Sequence, residues 1–453
     1  MKRIVAIGGG GASMFSCIVA TQLKKEKFRA IMISDEEDIY CRCTTPYILT
    51  NNATLKDAIQ PDSMVTDFGV EIVKDKALSI DVNKKQVRTK KQVIDYDYLV
   101  IGTGASPFVP PIEGVEHEKV FTVRTTEDVK RIQSSIKNAK EAVVIGGGII
   151  GVEMASALTE NNIKTSIVEF CDQLLPNITD NEFATKIEAH LKKNGVKTYL
   201  KSEAKSIDSN PKTIKTLTIK KDGKQKSLNA DIIIVAAGVR ANLDVIRGTG
   251  IKSDRRGILV DEKMRTNIKD VYACGDCCVS KSVITDEHSP SQLASTAIQQ
   301  AKVVGYQIAG FPIKYGGNTA AFAFQFLGKE YAGAGLTEAA ARKKYKIVTT
   351  GYALTTDIYR DMKDKKDLVV KLIFAGPLMR LVGVEAYGNG VTGHVETASF
   401  AMSMKANIFK LLKYNYIAHP SLTPWPFMNP LIMAAEDAMG KAMTYLKSKI
   451  RFK

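Results

Sequence analysis

The chain has no apolar run that approaches 18 residues, the length that a membrane-crossing helix needs. Its N-terminus lacks the apolar segment and small-residue cleavage site of a signal peptide. The cysteines number seven, an odd count in a chain of 453 residues, which argues against a disulfide framework and favours a reducing compartment. These absences predict a soluble, cytoplasmic protein that does not enter a membrane.

Nucleic-acid binding is also not expected. The formal net charge is +16, but the basic residues are scattered and form no patch interleaved with aromatic residues. This charge suits an anionic substrate, and a lysine-rich proteome would produce it equally well. The last segment, Lys441 to Lys453, resembles a basic amphipathic helix, for which we expect packing on the C-terminal domain rather than membrane contact.

What the chain does contain is one pattern in two copies. The apolar run Ile4 to Ala6 leads into a glycine-rich turn at 7–13, and the run Ala142 to Val144 leads into another at 145–151. Each copy has the form of a dinucleotide-binding βαβ unit: a buried strand, a glycine turn and a helix. One copy alone could be an ordinary strand-to-helix connection. Two copies predict two dinucleotides, so we expect a flavoprotein that also binds a nicotinamide.

The glycines of such a turn have separate functions. The first makes the tight turn, the second lets the backbone approach the pyrophosphate, and the third lets the helix pack close to the strand. The second copy has all three glycines, whereas the first copy has a serine in third place. The cofactor-binding residues predicted in the two turns are Gly8, Gly10, Gly11, Ser13, Gly146, Gly148, Ile150 and Gly151.

An acidic residue is expected at the end of the following strand, where it binds the ribose hydroxyls. Glu169 fits in the second copy, and either Asp35 or Glu36 fits in the first. The residues after Glu169, 170–172, include no arginine that could hold a 2′-phosphate. NADH is therefore favoured over NADPH, which stays possible.

Four further segments carry a family resemblance over nearly the whole chain. The most specific is 266–276, which resembles a second FAD fingerprint. The segment 98–107 resembles the crossover between the domains, and 232–240 resembles the strand that leaves an NAD domain. The segment 293–297 resembles the start of a helix that faces the flavin. On these motifs the chain resembles the pyridine nucleotide-disulfide oxidoreductases, in the single-cysteine branch of coenzyme A disulfide reductase, NADH oxidase and NADH peroxidase. The cofactor-binding residues that this resemblance adds are Thr103, Gly104, Gly238, Gly275, Asp276, Leu293 and Ala294.

The resemblance implies an α/β fold with two Rossmann-like dinucleotide-binding domains, one for FAD and one for NAD, and a C-terminal α+β dimerisation domain. The 45% hydrophobic content can fill two or three cores. We expect an FAD domain at 1–113 and 245–318, an NAD(P) domain at 114–244 and a dimerisation domain at 319–453. In the last of these, Leu368 to Phe374 and Leu381 to Ala386 are predicted strands. The family forms homodimers.

Two cysteines lie where the family carries a single redox cysteine. Cys43 is the aligned residue, three positions before Pro46. A proline in the first turn predicts a helix start, whose free N–H groups lower a thiol pKa, and Arg42 acts in the same direction. The alternative for Cys43 is a buried, inert thiol. Cys41 departs from the family pattern and is either half of a strained Cys41–Cys43 disulfide or a thiol buried beneath the loop.

Three other positions receive a role from the resemblance. His419 aligns with a histidine that a partner subunit supplies to protonate a leaving thiolate, but the glutamate that orients it is replaced by Pro424, so a structural interface role stays open. Glu153 aligns with a glutamate that positions the nicotinamide. The spacing of Cys274, Cys277 and Cys278 is compatible with a metal, although their place inside the FAD fingerprint favours packing.

The implied reaction passes hydride from NADH to FAD and then electrons to a disulfide, polysulfide or persulfide through Cys43. Gly11 replaces a histidine that oxidase and peroxidase relatives use, which lowers both of those alternatives. Coenzyme A itself is doubtful as the substrate, because Phe15, Val19 and Gln22 stand where relatives hold it with polar and basic residues. A flavin electron-transfer reductase for a small redox protein and a non-catalytic redox sensor are the remaining alternatives.

Overall fold

The computed structural model describes the backbone of residues 1–451 and the side chains of residues 1–445. The chain forms two compact units, each made of three chain segments. The first unit contains 1–110, 121–137 and 237–318, and the second contains 111–120, 138–236 and 319–453. Within the described part of the chain, no helix is both long and apolar enough to span a bilayer.

The first unit is built around a parallel sheet of five strands. These lie in the order Val271–Ala273, Tyr98–Ile101, Lys2–Ile7, Phe28–Ser34 and Val70–Lys74. The inner strands are buried apart from a few residues at their ends, whereas the edge strand Val70–Lys74 is mostly half-buried or exposed. Its main helices are Gly11–Leu23, Thr126–Ile136 and Ala294–Ile308, with short helices at Thr45–Leu49, Leu55–Ala58 and Ser63–Thr66.

Smaller sheets complete this unit. One is an antiparallel sheet of Ala77–Asp81, Gln86–Thr89 and Val93–Asp95, and another pairs Ala105–Pro107 with Val239–Ala241. A third contains Ser253–Asp254, Gly257–Leu259, Cys278–Lys281 and His288–Pro290. The short strands Ile39–Tyr40 and Ile59–Gln60 also pair.

The second unit contains the other parallel sheet, in which Glu141–Ile145 lies between Ile232–Val235 and Lys164–Val168, with Lys197–Tyr199 beyond. Helices Ile149–Glu160 and Asn181–Lys193 belong to it. An antiparallel sheet follows from strands Glu203–Asn210, Thr213–Lys221 and Lys224–Asn229. The fifth strand of the parallel sheet is the short strand Val120–Phe121, next to Ile232–Val235.

The C-terminal part of the second unit is an antiparallel sheet, in the order Phe322–Phe326, Lys329–Gly335, Arg380–Gly388, Asp367–Ala375 and Val348–Thr356. Both strands predicted there are present. The accompanying helices are Glu338–Lys344, Thr392–Ser403, Ile408–Leu411 and Pro430–Arg451. The last helix packs on strand Val348–Thr356, and Lys441 donates to the carbonyl of Thr350. Most of the predicted tail, residues 446–453, lies outside the residues whose side chains are described. The α/β fold class is also confirmed.

Candidate dinucleotide and thiol sites

The first glycine turn joins strand Lys2–Ile7 to helix Gly11–Leu23. Gly8 has φ +123°, and a Cβ there would lie 2.2 Å from the carbonyl oxygen of Gly102. Gly10 ends the turn at the N-cap of the helix with no side-chain cap, and only Arg42 Nη1 lies as near as 4.0 Å to its Cβ position. Open backbone N–H groups at a helix N-terminus suit a pyrophosphate, so this turn fits a dinucleotide.

Ser13 and Gly11 hold the helix against its surroundings. Ser13 is completely buried and its hydroxyl donates to the carbonyl of Ile7 at 3.2 Å. A Cβ on Gly11 would lie 2.8 Å from Ile298 Cδ1, because helix Ala294–Ile308 packs there. The serine that replaces the third glycine is therefore accommodated within the turn.

Arg42, the arginine nearest to Gly10, belongs to a charged cluster with Arg124, Glu36 and Asp276. Glu36 forms an ion pair with Arg42, and Arg124 Nη2 lies 3.9 Å from the same carboxylate. Arg124 also donates to the carbonyl of Ala105. Burial raises the pKa of Asp276, while Arg124 and Arg42 act in the opposite direction. The Glu36 carboxylate therefore points toward the guanidinium groups of Arg42 and Arg124.

Asp35, the alternative to Glu36, is exposed. Thr103 donates its hydroxyl to the carbonyl of Asn242 at 2.7 Å, and the Cβ position of Gly104 lies 3.7 Å from Arg124 Nη2. The structure therefore brings Thr103 and Gly104 into the same neighbourhood as Arg124.

The FAD fingerprint packs under the same turn. Gly275 has φ +80° and donates its N–H to Gln300 Oε1 at 2.9 Å, and its Cβ position lies 2.9 Å from Ala12 Cβ. Leu293 is the N-cap of helix Ala294–Ile308 and makes no side-chain cap, so the N–H groups that begin with Ala294 are open. Of these positions, Gly275 contacts the helix that begins at the first glycine turn, through Ala12.

The three cysteines beside Asp276 are buried. Cys277 Sγ contacts the carbonyl of Ile101 at 3.3 Å, and Cys278 Sγ contacts Gln300 Oε1 at 3.5 Å. Burial raises the pKa of both thiols and that of Cys274. All three thiols are buried side chains within the first unit.

Cys41 and Cys43 flank a short turn in the first unit. The helical turn Arg42–Thr44 leads directly into helix Thr45–Leu49, with Pro46 in its first turn. Both cysteines are exposed, and neither forms a disulfide. The alternative of a buried thiol is therefore wrong at both positions, because the loop between strand Ile39–Tyr40 and the helix leaves them at the surface.

The second glycine turn lies in the second unit, between strand Glu141–Ile145 and helix Ile149–Glu160. Gly146 has φ +108°, and a Cβ on Gly151 would lie 2.0 Å from its carbonyl oxygen. Gly148 is the N-cap of the helix, with open space at its Cβ position. This turn also fits a pyrophosphate.

Two glutamates accompany this turn. Glu169 is buried; its Oε2 accepts from the N–H of Gly147 at 2.6 Å and its Oε1 from the N–H of Cys171 at 2.7 Å. Glu153 is half-buried on the helix, and burial raises its pKa to about 7. Ile150 is exposed at the helix start.

Gly238 and His419 are the remaining assigned positions. Gly238 lies in the first unit with φ +105°, and its carbonyl accepts from the N–H of Phe108 at 2.8 Å. His419 lies in an exposed loop of the second unit, where its Nδ1 is 3.1 Å from the Ser421 hydroxyl. Pro424 stands at the place of the family's orienting glutamate and has no carboxylate. The His419 imidazole contacts the Ser421 hydroxyl.

Sequence reasoning did not assign a role to Arg124 and considered Arg42 only as a neighbour of the thiols. Arg124 directly precedes a capping box in which the Thr125 hydroxyl accepts from the N–H of Asp128. That helix-start signal is visible in the sequence and marks the arginine as the end of a loop. It does not indicate that the loop returns to Glu36.

Comparisons with known proteins agree with this geometry. The family model described as "Pyridine nucleotide-disulphide oxidoreductase" matches residues 2–301, and the model of that family's dimerisation domain matches 321–426. An NADH oxidase from Methanocaldococcus jannaschii is 30% identical over 97% of this chain and 99% of its own length. The NAD(P)H coenzyme A polysulfide/persulfide reductase from Pyrococcus horikoshii is 28% identical over 96% and 98%.

A solved structure gives the same match in three dimensions. The NAD-dependent persulfide reductase from A. fulgidus superposes with a TM-score of 0.92 at 26% identity, covering 98% of this chain and 84% of that one.

Proposed function

Because the chain belongs to the pyridine nucleotide-disulphide oxidoreductase family, we propose that it reduces a disulfide, polysulfide or persulfide with electrons from NADH, through the thiol of Cys43. It is an FAD-dependent enzyme, since FAD is the cofactor of this family. The observation that carries the proposal is the exposed Cys43, which lies ahead of a helix in the unit that contains the first glycine turn.

The first turn is proposed to hold FAD. Its N–H groups take the pyrophosphate, Glu36 takes the adenosine ribose, and Arg42 and Arg124 neutralise the phosphate charge. Asp276 accepts hydrogen bonds from the ribityl chain. When bound, FAD accepts a hydride and supplies two electrons to sulfur. The other residues proposed to line this site are Gly8, Gly10, Gly11, Ser13, Thr103, Gly104, Gly275, Leu293 and Ala294.

The second turn is proposed to hold the nicotinamide dinucleotide. Gly146, Gly148 and Gly151 shape its pyrophosphate site and Glu169 binds the adenosine ribose. The residue after Glu169 is Phe170, which is 72% exposed, and residues 170–172 include no arginine that could bind a 2′-phosphate. This supports NADH as the physiological donor, and Ile150 and Glu153 on helix Ile149–Glu160 are proposed to contribute to its site.

The chain's own chemistry begins at the Cys43 sulfur. As a thiolate it attacks one sulfur of the substrate, a new S–S bond forms, and the original S–S bond breaks to release a thiolate. His419 of the partner subunit is proposed to protonate that leaving group, because an imidazole ring can carry a proton and donate it to a thiolate. Two electrons, which FAD would supply, then cleave the new S–S bond, so that Cys43 returns to the thiolate and the second half of the substrate leaves as a thiolate that takes up a proton.

The remaining parts of the proposal concern organisation. We propose the domains 1–113 with 245–318 for FAD, 114–244 for NAD(P) and 319–453 for dimerisation, and a homodimer formed through the last. A cytoplasmic location accompanies it, since all seven cysteines lie outside disulfides.

The experiment compares two single variants. Cys43→Ser leaves FAD content and flavin reduction by NADH unchanged, because neither step uses the thiol. Turnover of polysulfide and small disulfides falls at least about 100-fold, or about 3 kcal/mol of barrier, since a hydroxyl cannot form the mixed disulfide. Cys41→Ser has a smaller effect. Equal losses in both variants indicate a working Cys41–Cys43 pair, and full turnover in Cys43→Ser refutes the thiol mechanism.

NADH oxidation by oxygen is the second candidate function. The specific observation in its favour is the 30% identity to the M. jannaschii NADH oxidase over 97% of the chain. The presence of Gly11 argues against this function, because oxidase relatives have at this position a histidine that assists the reaction with oxygen. Oxygen consumption faster than polysulfide reduction under saturating NADH would select the oxidase instead.

A further inference from the structure

A buried charged cluster lies in the second unit, away from both glycine turns in sequence. The side chain of Lys371 is only 1% exposed, and its Nζ lies 2.8 Å from Asp180 Oδ2, 2.5 Å from Glu182 Oε1 and 2.8 Å from Glu338 Oε2. Burial alone would lower the pKa of Lys371, but the three carboxylates hold it above its usual value. The ammonium thus fills the place that three carboxylates could otherwise offer to a metal ion.

The cluster fastens residues 179 and 180 through both backbone and side chain. Glu385 Oε1 accepts from the N–H of Asp180 at 2.8 Å and from the Tyr331 hydroxyl at 2.6 Å. The same tyrosine hydroxyl bonds Thr179. The Asp180 carboxylate also accepts from the N–H of Glu338 at 2.7 Å and so caps helix Glu338–Lys344. Asp180 therefore has several fixed partners.

From this anchor the chain runs back over the second glycine turn. Residues 170–179 contain no helix or strand, and Gln173 closes them into a compact loop by donating to the carbonyl of Thr179 at 2.9 Å. In the middle of the loop, Leu175 donates its N–H to the carbonyl of Gly147 at 2.8 Å. Leu174 packs on the same glycine, whose Cβ position lies 2.6 Å from Leu174 Cδ2.

The loop begins at Glu169, the residue with the most direct role in the turn. Its carboxylate bonds the N–H groups of Gly147 and Cys171 at 2.6 and 2.7 Å. The turn, Glu169 and the loop thus share contacts at Gly147, and the far end of the loop is fixed at Asp180. A ligand that binds to a preorganised turn does not have to order it.

We propose that Lys371 and Asp180 are positioning residues that set the affinity of the second glycine turn for the adenosine half of the nicotinamide dinucleotide. They act through loop 170–179 and do not touch the dinucleotide. The inference rests on the proposed function in one respect, the assignment of NADH to this turn.

The test uses the FAD-loaded enzyme and ADP-ribose, a non-reducing probe of the adenosine half, titrated by calorimetry. Lys371→Met keeps the length of the side chain and removes its charge. We expect the Kd for ADP-ribose and the KM for NADH to rise at least about tenfold, while FAD content and kcat at saturating NADH change less than about twofold. Uniform loss of binding with unchanged kcat is the signature of positioning.

Lys371→Met leaves three carboxylates without their cation and can fail to fold. Tyr331→Phe is the second variant, since it removes only the hydroxyl that joins Glu385 to Thr179 and is expected to raise the same Kd about threefold. The matched control is Lys192→Met on helix Asn181–Lys193, whose ammonium pairs with Glu188 at 2.8 Å and is 56% exposed. The control is expected to keep the wild-type Kd.

Two failures can be told apart. An unchanged Kd in folded Lys371→Met, or in Tyr331→Phe when the first variant does not fold, overturns the positioning role and leaves the proposed function intact. A wild-type enzyme that does not bind ADP-ribose, and whose flavin NADH does not reduce, overturns the assignment of NADH to this turn. A fall in kcat with unchanged KM also overturns the inference.

Discussion

The two glycine turns have the same strand–turn–helix form and differ in the charges around them. At the first, Arg42 and Arg124 meet Glu36, and Asp276 lies within their influence. At the second, the contacts come from the Glu169 carboxylate and the apolar Leu174. The first turn therefore has a guanidinium group close to it, whereas the second has backbone N–H groups and the Glu169 carboxylate.

This difference corresponds to two kinds of ligand. Charge-assisted hydrogen bonds are about twice as strong as neutral ones, so arginines favour a ligand that stays bound. Backbone N–H groups with one carboxylate on the ribose give a site from which a spent dinucleotide can leave. The comparison therefore supports the proposal that the first turn holds a resident cofactor and the second an exchanging dinucleotide.

Exchange of the third turn residue tests whether the two turns are equivalent in shape. Gly151→Ser should abolish flavin reduction by NADH, with a loss of at least about 100-fold or about 3 kcal/mol, because a Cβ there would lie 2.0 Å from the Gly146 carbonyl. The matched change, Ser13→Gly, removes the 3.2 Å hydrogen bond to the Ile7 carbonyl and should lower the free energy of unfolding by about 1 kcal/mol. Stopped-flow reduction and FAD content measure both.

Equal effects of the two substitutions would contradict the structural difference between the turns. A functional Gly151→Ser enzyme would mean that helix Ile149–Glu160 can move away from its turn. Thermal unfolding of both variants separates a local effect on binding from loss of the fold.

How far the sequence predicts the molecule depends on the distance over which each interaction acts. Both turns and their strands follow from local spacing, since Gly8 and Gly146 each follow a buried apolar run and adopt a positive φ. The exposure of Cys41 did not follow, because burial depends on how a loop lies against the rest of its unit.

Interactions between distant segments explain what the sequence analysis missed. Arg124 reaches Glu36 across 88 positions of the chain, and Lys371 reaches Asp180 across 191. No periodicity links residues so far apart, and one charged residue in a chain with 25% charged residues carries no local signal. Such pairs become visible only when the sheets have placed their strands.

The next prediction removes one of the arginines that distinguish the first turn. Arg124→Met should weaken FAD binding about 10- to 100-fold, since hydrogen bonds to charged groups contribute about 1.5 to 3 kcal/mol. Affinity of the apoprotein for added FAD, followed by flavin fluorescence, measures this. Arg131→Met is the control, because Arg131 is on the adjacent helix and stacks on Phe121 instead. Unchanged FAD affinity in Arg124→Met would remove the arginine from the site.

A charge can also be added to the second turn. Glu169→Ala with Phe170→Arg should raise the KM for NADH about tenfold, because two N–H groups lose their acceptor, and should move preference toward NADPH. Phe170→Arg alone is the control, since it keeps the carboxylate that repels a 2′-phosphate. Strong preference for NADPH in the unmodified enzyme would contradict the role of Glu169.

The smallest expected effect comes from the carboxyl group that has no arginine beside it. Burial raises the pKa of Glu153 from 4.5 to about 7, whereas the arginines oppose the same shift at Asp276. Between about pH 4.5 and 7 the folded state then binds more protons at Glu153 than the unfolded state does, so the free energy of unfolding falls as pH rises through this range.

The side chain of Glu153→Gln cannot ionise. The fall in the free energy of unfolding across this pH range should therefore be smaller in the variant by about 1 kcal/mol, a figure reduced for partial exposure to solvent. Thermal unfolding of the FAD-loaded enzyme at several pH values measures the slope, with Glu160→Gln, at the exposed end of the same helix, as the control. Parallel curves for wild type and Glu153→Gln would mean that burial does not raise the pKa of Glu153. The contrast with Asp276, whose charge the arginines stabilise, would then be wrong.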